Sequence, residues 1–229
     1  MGKRVLIVDD DTSIAEILEF NLKNEGYEVE TAVSAEDALK KSLDNFHIIL
    51  LDVMMGGMSG YKMADKMRQE EIVTPIIFIT AKDTENEMLT GFSVGADDYI
   101  SKPFSIKEVI ARVKAVLKRS EKQSITDEKE DKLSYGNLIL DFNLKELSVN
   151  NKKIQLTKTE FELLTLLAKH PDRMFSRESI INKLWSETPY ITERTIDVHI
   201  TRLRKKMGNY ASVISNKTGY GYWFNTDDL

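Results

Sequence analysis

Four short apolar runs in the first hundred residues end on, or lead into, polar residues suited to chemistry. Val5-Leu6-Ile7-Val8 opens onto Asp9, Asp10 and Asp11, and Ile48-Ile49-Leu50-Leu51 onto Asp52; a third run ends on Thr80 and a fourth leads to Lys102. Runs this short, bounded by polar residues, suit strands of a parallel sheet covered on both faces. If all of them point the same way, their carboxyl ends bring the carboxylates of Asp9, Asp10 and Asp52, a hydroxyl and an ammonium to one edge, where open α/β sheets hold their ligands.

Between these runs the apolar period changes from two to near four. Ile14, Ile17, Leu18 and Leu22 mark a helix over residues 12–25 with Gly26 as its stop, and further helices fit 35–43, 60–70, 84–93 and 105–117. Strands fit 5–8, 28–32, 48–51, 76–79 and 99–100. Five βα units in succession predict a doubly wound, five-stranded parallel sheet of flavodoxin-like type.

Residues 119–132, RSEKQSITDEKEDK, hold one large apolar residue, Ile125, too little to offset the entropy of ordering the segment, and read as a flexible linker. The chain is therefore expected to carry one domain at 1–118 and another at 133–229. Charge divides at the same place: residues 1–118 have 14 Lys+Arg against 21 Asp+Glu, and residues 133–229 have 14 against 11. An acidic half suits a divalent cation and a basic half suits a polyanion. The second half reads as short strands near 138–141, 146–149 and 153–156, helices opening near Thr157, Ser176 and Thr192, and a terminal hairpin turning at Lys217-Thr218-Gly219. That order predicts an α+β winged helix-turn-helix domain.

The absence of cysteine excludes disulfides, thiolate zinc sites and a cysteine nucleophile, and the three histidines are far apart. No stretch reaches the ~18 apolar residues of a membrane span, and no signal peptide opens the chain, so a cytoplasmic location without membrane contact is expected. Any one aspartate at a strand end is ordinarily a turn starter. Together they fit Mg2+, which takes oxygen ligands and needs only one or two carboxylates beside phosphate oxygens. Asp52 can act as nucleophile toward a phosphoryl group if Mg2+ and Lys102 neutralise the gathering charge, with Thr80 donating to a phosphoryl oxygen.

Residues 1–118 resemble the receiver domain of bacterial response regulators through Val8-Asp9-Asp10-Asp11, Leu51-Asp52-Val53-Met54, Ile79-Thr80-Ala81-Lys82, and Gly95-Ala96-Asp97-Asp98-Tyr99 leading to Lys102-Pro103-Phe104. The resemblance implies Asp52 as phosphoacceptor and Mg2+ held by Asp9, Asp10, Asp52 and the backbone carbonyl of Met54. It also implies Thr80 and Tyr99 as a switch pair, Tyr99 turning inward on phosphorylation, and Lys102 as the phosphoryl-binding cation. The rival enzyme, a haloacid-dehalogenase-type phosphatase, needs a second aspartate two residues after the nucleophile, and Met54 stands there. Gly56 replaces a usual proline, so a more mobile loop is expected. Asp97 and Arg112 are implied at a receiver dimer face, where Met88 and Ser93 replace a usual Lys and Glu.

Residues 133–229 resemble the OmpR/PhoB-type effector domain through Leu156-Thr157-Lys158-Thr159-Glu160-Phe161, Phe175-Ser176-Arg177-Glu178, the 194–206 helix, and Gly219, Gly221 and Tyr222. Ile196, Ile200, Leu203 and Met207 form the core seam of that helix, leaving Arg194, Thr195, Asp197, Val198, Thr201, Arg202, Lys205 and Lys206 outside. The resemblance implies Asp197, Val198 and Arg202 as base-edge readers and Arg177, Trp185, Arg194, Thr195, His199, Arg204 and Tyr222 as phosphate contacts, with Lys217 in the wing beside Thr218. Trp185 stays open between contact and core, and His199 between contact and structural support. The implied partners are a sensor histidine kinase, double-stranded promoter DNA, RNA polymerase and a second copy of the chain after phosphorylation. The implied function is that of a phosphorylation-dependent transcriptional regulator and not an enzyme.

Overall fold

The computed structural model describes residues 2–81, 85–118, 131–185 and 191–227, without side chains at 85–88 and 118. The chain divides into two compact units, one up to Ser124 and one from Ile125. No helix among the described residues is long and apolar enough to cross a membrane.

The first unit runs β1 (Arg4–Val8), α1 (Thr12–Asn24), β2 (Glu28–Ala32), α2 (Ala35–Ala38), β3 (Ile48–Asp52), α3 (Gly60–Gln69), β4 (Ile76–Thr80), α4 (Glu85–Val94), β5 (Asp98–Ser101) and α5 (Ile106–Lys118). Its five strands are parallel in the order β2-β1-β3-β4-β5, so β3 is central. The expected fold class holds. Strand alternation sends Val5, Ile7, Ile48, Leu50, Ile77, Ile79 and Ile100 into one core with Leu18, Leu22, Val109 and Val113 of α1 and α5. On the other face Phe78 meets Tyr61 of α3 edge-on, ring centroids 5.0 Å apart. Helix α1 starts on Asp11, whose side chain accepts the Ser13 and Ile14 N–H groups, and stops before Gly26 at φ 88°.

One helix is shorter than the sequence suggests. Residues 35–43 were expected to be helical throughout, but α2 ends at Ala38 and the chain tightens into three-residue turns, Lys40 and Lys41 donating to the Asp37 and Ala38 carbonyls. The side chain of Lys41 turns away to Glu30 at 3.1 Å.

The second unit carries β6 (Lys132–Tyr135), β7 (Leu138–Asp141), β8 (Glu146–Val149), β9 (Lys152–Ile154), α6 (Lys158–Ala168), α7 (Arg177–Leu184), α8 (Glu193–Met207), β10 (Ile214–Lys217) and β11 (Gly221–Phe224). The first sheet has four antiparallel strands, not three: β6 begins at Lys132, inside the segment read as linker, and the Lys132 ammonium lies 3.1 Å from Asp141. The rest of that segment, 119–130, lies outside the described residues. Thr157 and Ser176 cap α6 and α7 as expected, Thr157 through a reciprocal pair of hydrogen bonds with Glu160. Leu163, Leu167, Trp185, Ile196, Ile200, Leu203 and Phe224 share one core.

Candidate functional site

Strand polarity places Asp9 just past β1, Asp52 as the last residue of β3, Thr80 as the last of β4 and Lys102 just past β5. Register reinforces this, Asp52 pairing with Ile79 and Thr80 with Ser101. The Lys102 Nζ donates to Asp52 Oδ2 at 2.8 Å and to Asp9 Oδ2 at 3.0 Å, so residues 93 and 50 apart in sequence share one cation. Burial raises the Asp9 carboxyl above its ordinary range, and the Asp11 N–H and Lys102 only partly offset it. Burial pulls the Lys102 ammonium down, but the hydrogen bonds and charges of Asp52 and Asp9 together outweigh it and hold the ammonium above its usual value.

Asp9, Asp10 and Asp52 each bring a carboxylate oxygen within 4.8 Å of the others. Three hard oxygen donors at that spacing suit a divalent ion of the Mg2+ class. Asp10 is the exposed member, and its Oδ2 accepts the Gly56 N–H at 3.0 Å; Asp52 Oδ1 accepts the Met54 N–H at 3.0 Å. The loop after Asp52, expected to be mobile for want of a proline, is further held by Glu36, which accepts the Met58 N–H at 2.9 Å.

Thr80 is buried, and Tyr99 is 1% exposed opposite Phe78 on β4. Tyr99 is thus inside the unit. The two residues assigned to a dimer face are likewise inside. Asp97 is fully buried, accepts the Ile76 N–H at 3.0 Å and lies 3.9 Å from Arg68. Arg112, 3% exposed, pairs with Asp98 at 3.1 Å and Glu108 at 2.9 Å in its own protomer. The Met88 side chain lies outside the described residues.

In the second unit α8 presents Arg194, Thr201 and Lys205 to solvent, with Val198 and Arg202 half-buried beside them. Four expected phosphate contacts are buried instead, among them Tyr222 on β11 at 5% exposure. Trp185 is 2% exposed in the core, His199 is fully buried and stacks on it with ring centroids 5.6 Å apart, and Thr195 is buried at the start of α8, its Oγ1 accepting the Thr192 N–H. Thr195 and His199 form a second buried stripe one step round from the Ile196 seam, which polar residue types concealed in the sequence.

Other cations serve internal contacts. Arg202 and Lys206 reach the buried Glu160 of α6 at 3.3 and 2.7 Å. Arg204 donates to the Ile214 carbonyl and to Asn216, tying α8 to β10. Thr201 turns its hydroxyl back to the Asp197 carbonyl at 2.7 Å. Lys217 is exposed at the hairpin turn, its ammonium 4.7 Å from the Tyr220 ring centroid.

Comparison with known proteins accounts for both units. The response regulator receiver domain family matches residues 5–114, and the family described as transcriptional regulatory protein, C terminal, matches 151–224. The chain is 38% identical to the alkaline phosphatase synthesis transcriptional regulatory protein PhoP of Bacillus subtilis, over 97% of this chain and 96% of the relative. It is 37% identical to the phosphate regulon transcriptional regulatory protein PhoB of Pseudomonas aeruginosa, over 99% of both. The chain belongs to the OmpR/PhoB family of two-component response regulators.

Among solved structures, the response regulator DrrB of Thermotoga maritima, an OmpR/PhoB homologue, is similar at 32% identity and TM-score 0.52, covering 98% of this chain and all of that one. A RitR mutant is similar at 25% identity and TM-score 0.77, over 97% and 99%. The regulator is thus a two-component transcriptional regulator with a receiver and a DNA-binding domain, in a family of regulators and not of enzymes. Membership implies a histidine kinase and DNA as its partners.

Proposed function

We propose that the regulator accepts a phosphoryl group on Asp52 from a sensor histidine kinase and, once phosphorylated, binds promoter DNA as a homodimer. The observation that carries this reading is the single ammonium of Lys102 set against both Asp52 and Asp9. An Asp52 oxygen would attack phosphorus, the bond from phosphorus to the kinase imidazole would break, and an acyl phosphate would form. Lys102 would then move its hydrogen bonds to the phosphoryl oxygens, joined by the Thr80 hydroxyl. Asp9, Asp10, Asp52 and the Met54 carbonyl would hold Mg2+, which when bound neutralises charge on those oxygens.

Arg194, Val198, Thr201, Arg202 and Lys205 form the face of α8 that would enter the major groove, with Arg177 and Lys217 on phosphates to either side. Dimerisation through α4, β5 and α5 would require the internal Arg112 pairs to open. A cytoplasmic location and contact with RNA polymerase accompany this reading. The test is labelling with a small phosphodonor in Mg2+: wild type becomes phosphorylated and binds DNA more tightly, whereas Asp52→Asn takes no label and gains no affinity. Labelled Asp52→Asn would place the acceptor elsewhere.

A further inference from the structure

Three elements of the second unit meet at one carboxylate. A two-residue bridge pairs Phe175 with Tyr222, the Phe175 N–H donating to the Tyr222 carbonyl at 2.8 Å and the Tyr222 N–H to the Phe175 carbonyl at 2.9 Å. A Cβ at Gly221 would lie 2.0 Å from the Phe175 carbonyl oxygen, so only glycine lets β11 come this close. The bridge carries Arg177, at the start of α7, over Tyr222, with the guanidinium carbon 4.9 Å from the ring centroid. Asp197 of α8 then closes the joint: its Oδ1 accepts the Arg177 Nε–H at 2.6 Å and the Tyr222 hydroxyl at 2.6 Å. Arg177 Nη2 also donates to the Tyr222 oxygen at 3.2 Å.

We infer that Asp197 is a positioning residue of the DNA-binding surface: it fixes Arg177 and the β10–β11 hairpin against α8, and selects no base itself. Both short, charge-assisted bonds fall on Oδ1, so the carboxylate cannot swing without breaking them together, and Oδ2 is aimed only as the joint aims it. Held by Nε and Nη2, Arg177 has no hydrogen bond on Nη1 among the described residues, which leaves that nitrogen to a phosphate. The residues left to choose bases are those on the outer face of α8, among them Val198, Thr201 and Lys205.

The experiment selects binding sites from a random duplex pool with the full chain, then measures affinity for the selected duplex and a scrambled one over a salt series. Asp197→Ala selects the same sequence as wild type and binds both duplexes about tenfold more weakly, with a salt dependence shallower by about one phosphate contact. Tyr222→Phe, which removes only the hydroxyl, loses less, and the double variant loses no more than Asp197→Ala alone because both act through one joint. Asp197→Asn keeps an acceptor for both donors and recovers most of the affinity with the same selected sequence; it also carries the test if thermal melting shows Asp197→Ala to be unfolded. A changed base at one position in either Asp197 variant, or additive losses with Tyr222→Phe, overturns the assignment.

Discussion

The Gly56 N–H sits 3.0 Å from Asp10 Oδ2, a hydrogen bond that a proline at this position could not make. It turns the departure expected to loosen this loop into a brace on the one exposed carboxylate of the acidic cluster. Groups that orient a metal ligand commonly change affinity by about tenfold or more when removed. Gly56→Pro is expected to weaken Mg2+ binding by about that factor, read by amide NMR during a magnesium titration. Gly56→Ala keeps the N–H, and its Cβ meets nothing within 4 Å, so its titration should overlay the wild type. Equal weakening in both would point to loop stiffness instead.

Gly60 allows α3 to begin against the end of β3: a Cβ there would lie 2.2 Å from the Asp52 carbonyl oxygen. Gly60→Ala must push the acceptor strand aside, at roughly 1–3 kcal/mol by the usual cost of overpacking. Acyl-phosphate formation should slow markedly in protein that still melts cooperatively. Unchanged labelling would mean the helix start yields without moving Asp52.

Trp185 fills the core behind α8. Trp185→Ala should lose about 3–5 kcal/mol of stability in the second unit, seen as a lowered Tm. Trp185→Phe should preserve the salt dependence of DNA binding, since no phosphate contact is removed. A shallower slope for the phenylalanine variant would return Trp185 to the DNA surface.

Glu160 gives the second unit a defined acid response. Burial alone would raise its carboxyl, but Arg202 and Lys206 outweigh that and hold it below its ordinary value. A lowered folded pKa adds stability that is present above the unfolded value, about 4.3, and is lost as pH falls through the folded one. Denaturant midpoints of the wild type should therefore begin to drop as pH falls below about 5 and go on dropping until Glu160 is protonated in the folded unit. Glu160→Gln should flatten that drop and lower stability near pH 7 by roughly 3 kcal/mol, as when one partner leaves a buried ion pair. Parallel pH curves for the two proteins would exclude this role.

The parallel sheet and its reactive edge were legible because each apolar run ends where its strand ends, so Asp9, Asp52, Thr80 and Lys102 declared their places individually. Helix starts at Thr157, Ser176 and Thr192 were legible for a similarly local reason. What stayed hidden was long-range. Arg112 and Asp97 look like surface charges until Asp98 and Arg68 fold onto them, and Thr195 and His199 look like contacts until Trp185 and the α8 cap enclose them. Strand β6 was hidden because its alternation, Leu133 and Tyr135, follows directly on a charged tract.

The close seating of Gly60 on the Asp52 carbonyl has a mechanical consequence. The acceptor is flanked by β1 and β4 and capped from behind by a helix start with no slack, so its own backbone has nowhere to retreat. Bulk added to its side chain must be accommodated by what surrounds it: the loops that follow β1 and β5 and the hydroxyl at the end of β4. On the proposed function, the fixed point of the receiver is the residue that takes the phosphoryl group, and movement is handed outward to its neighbours.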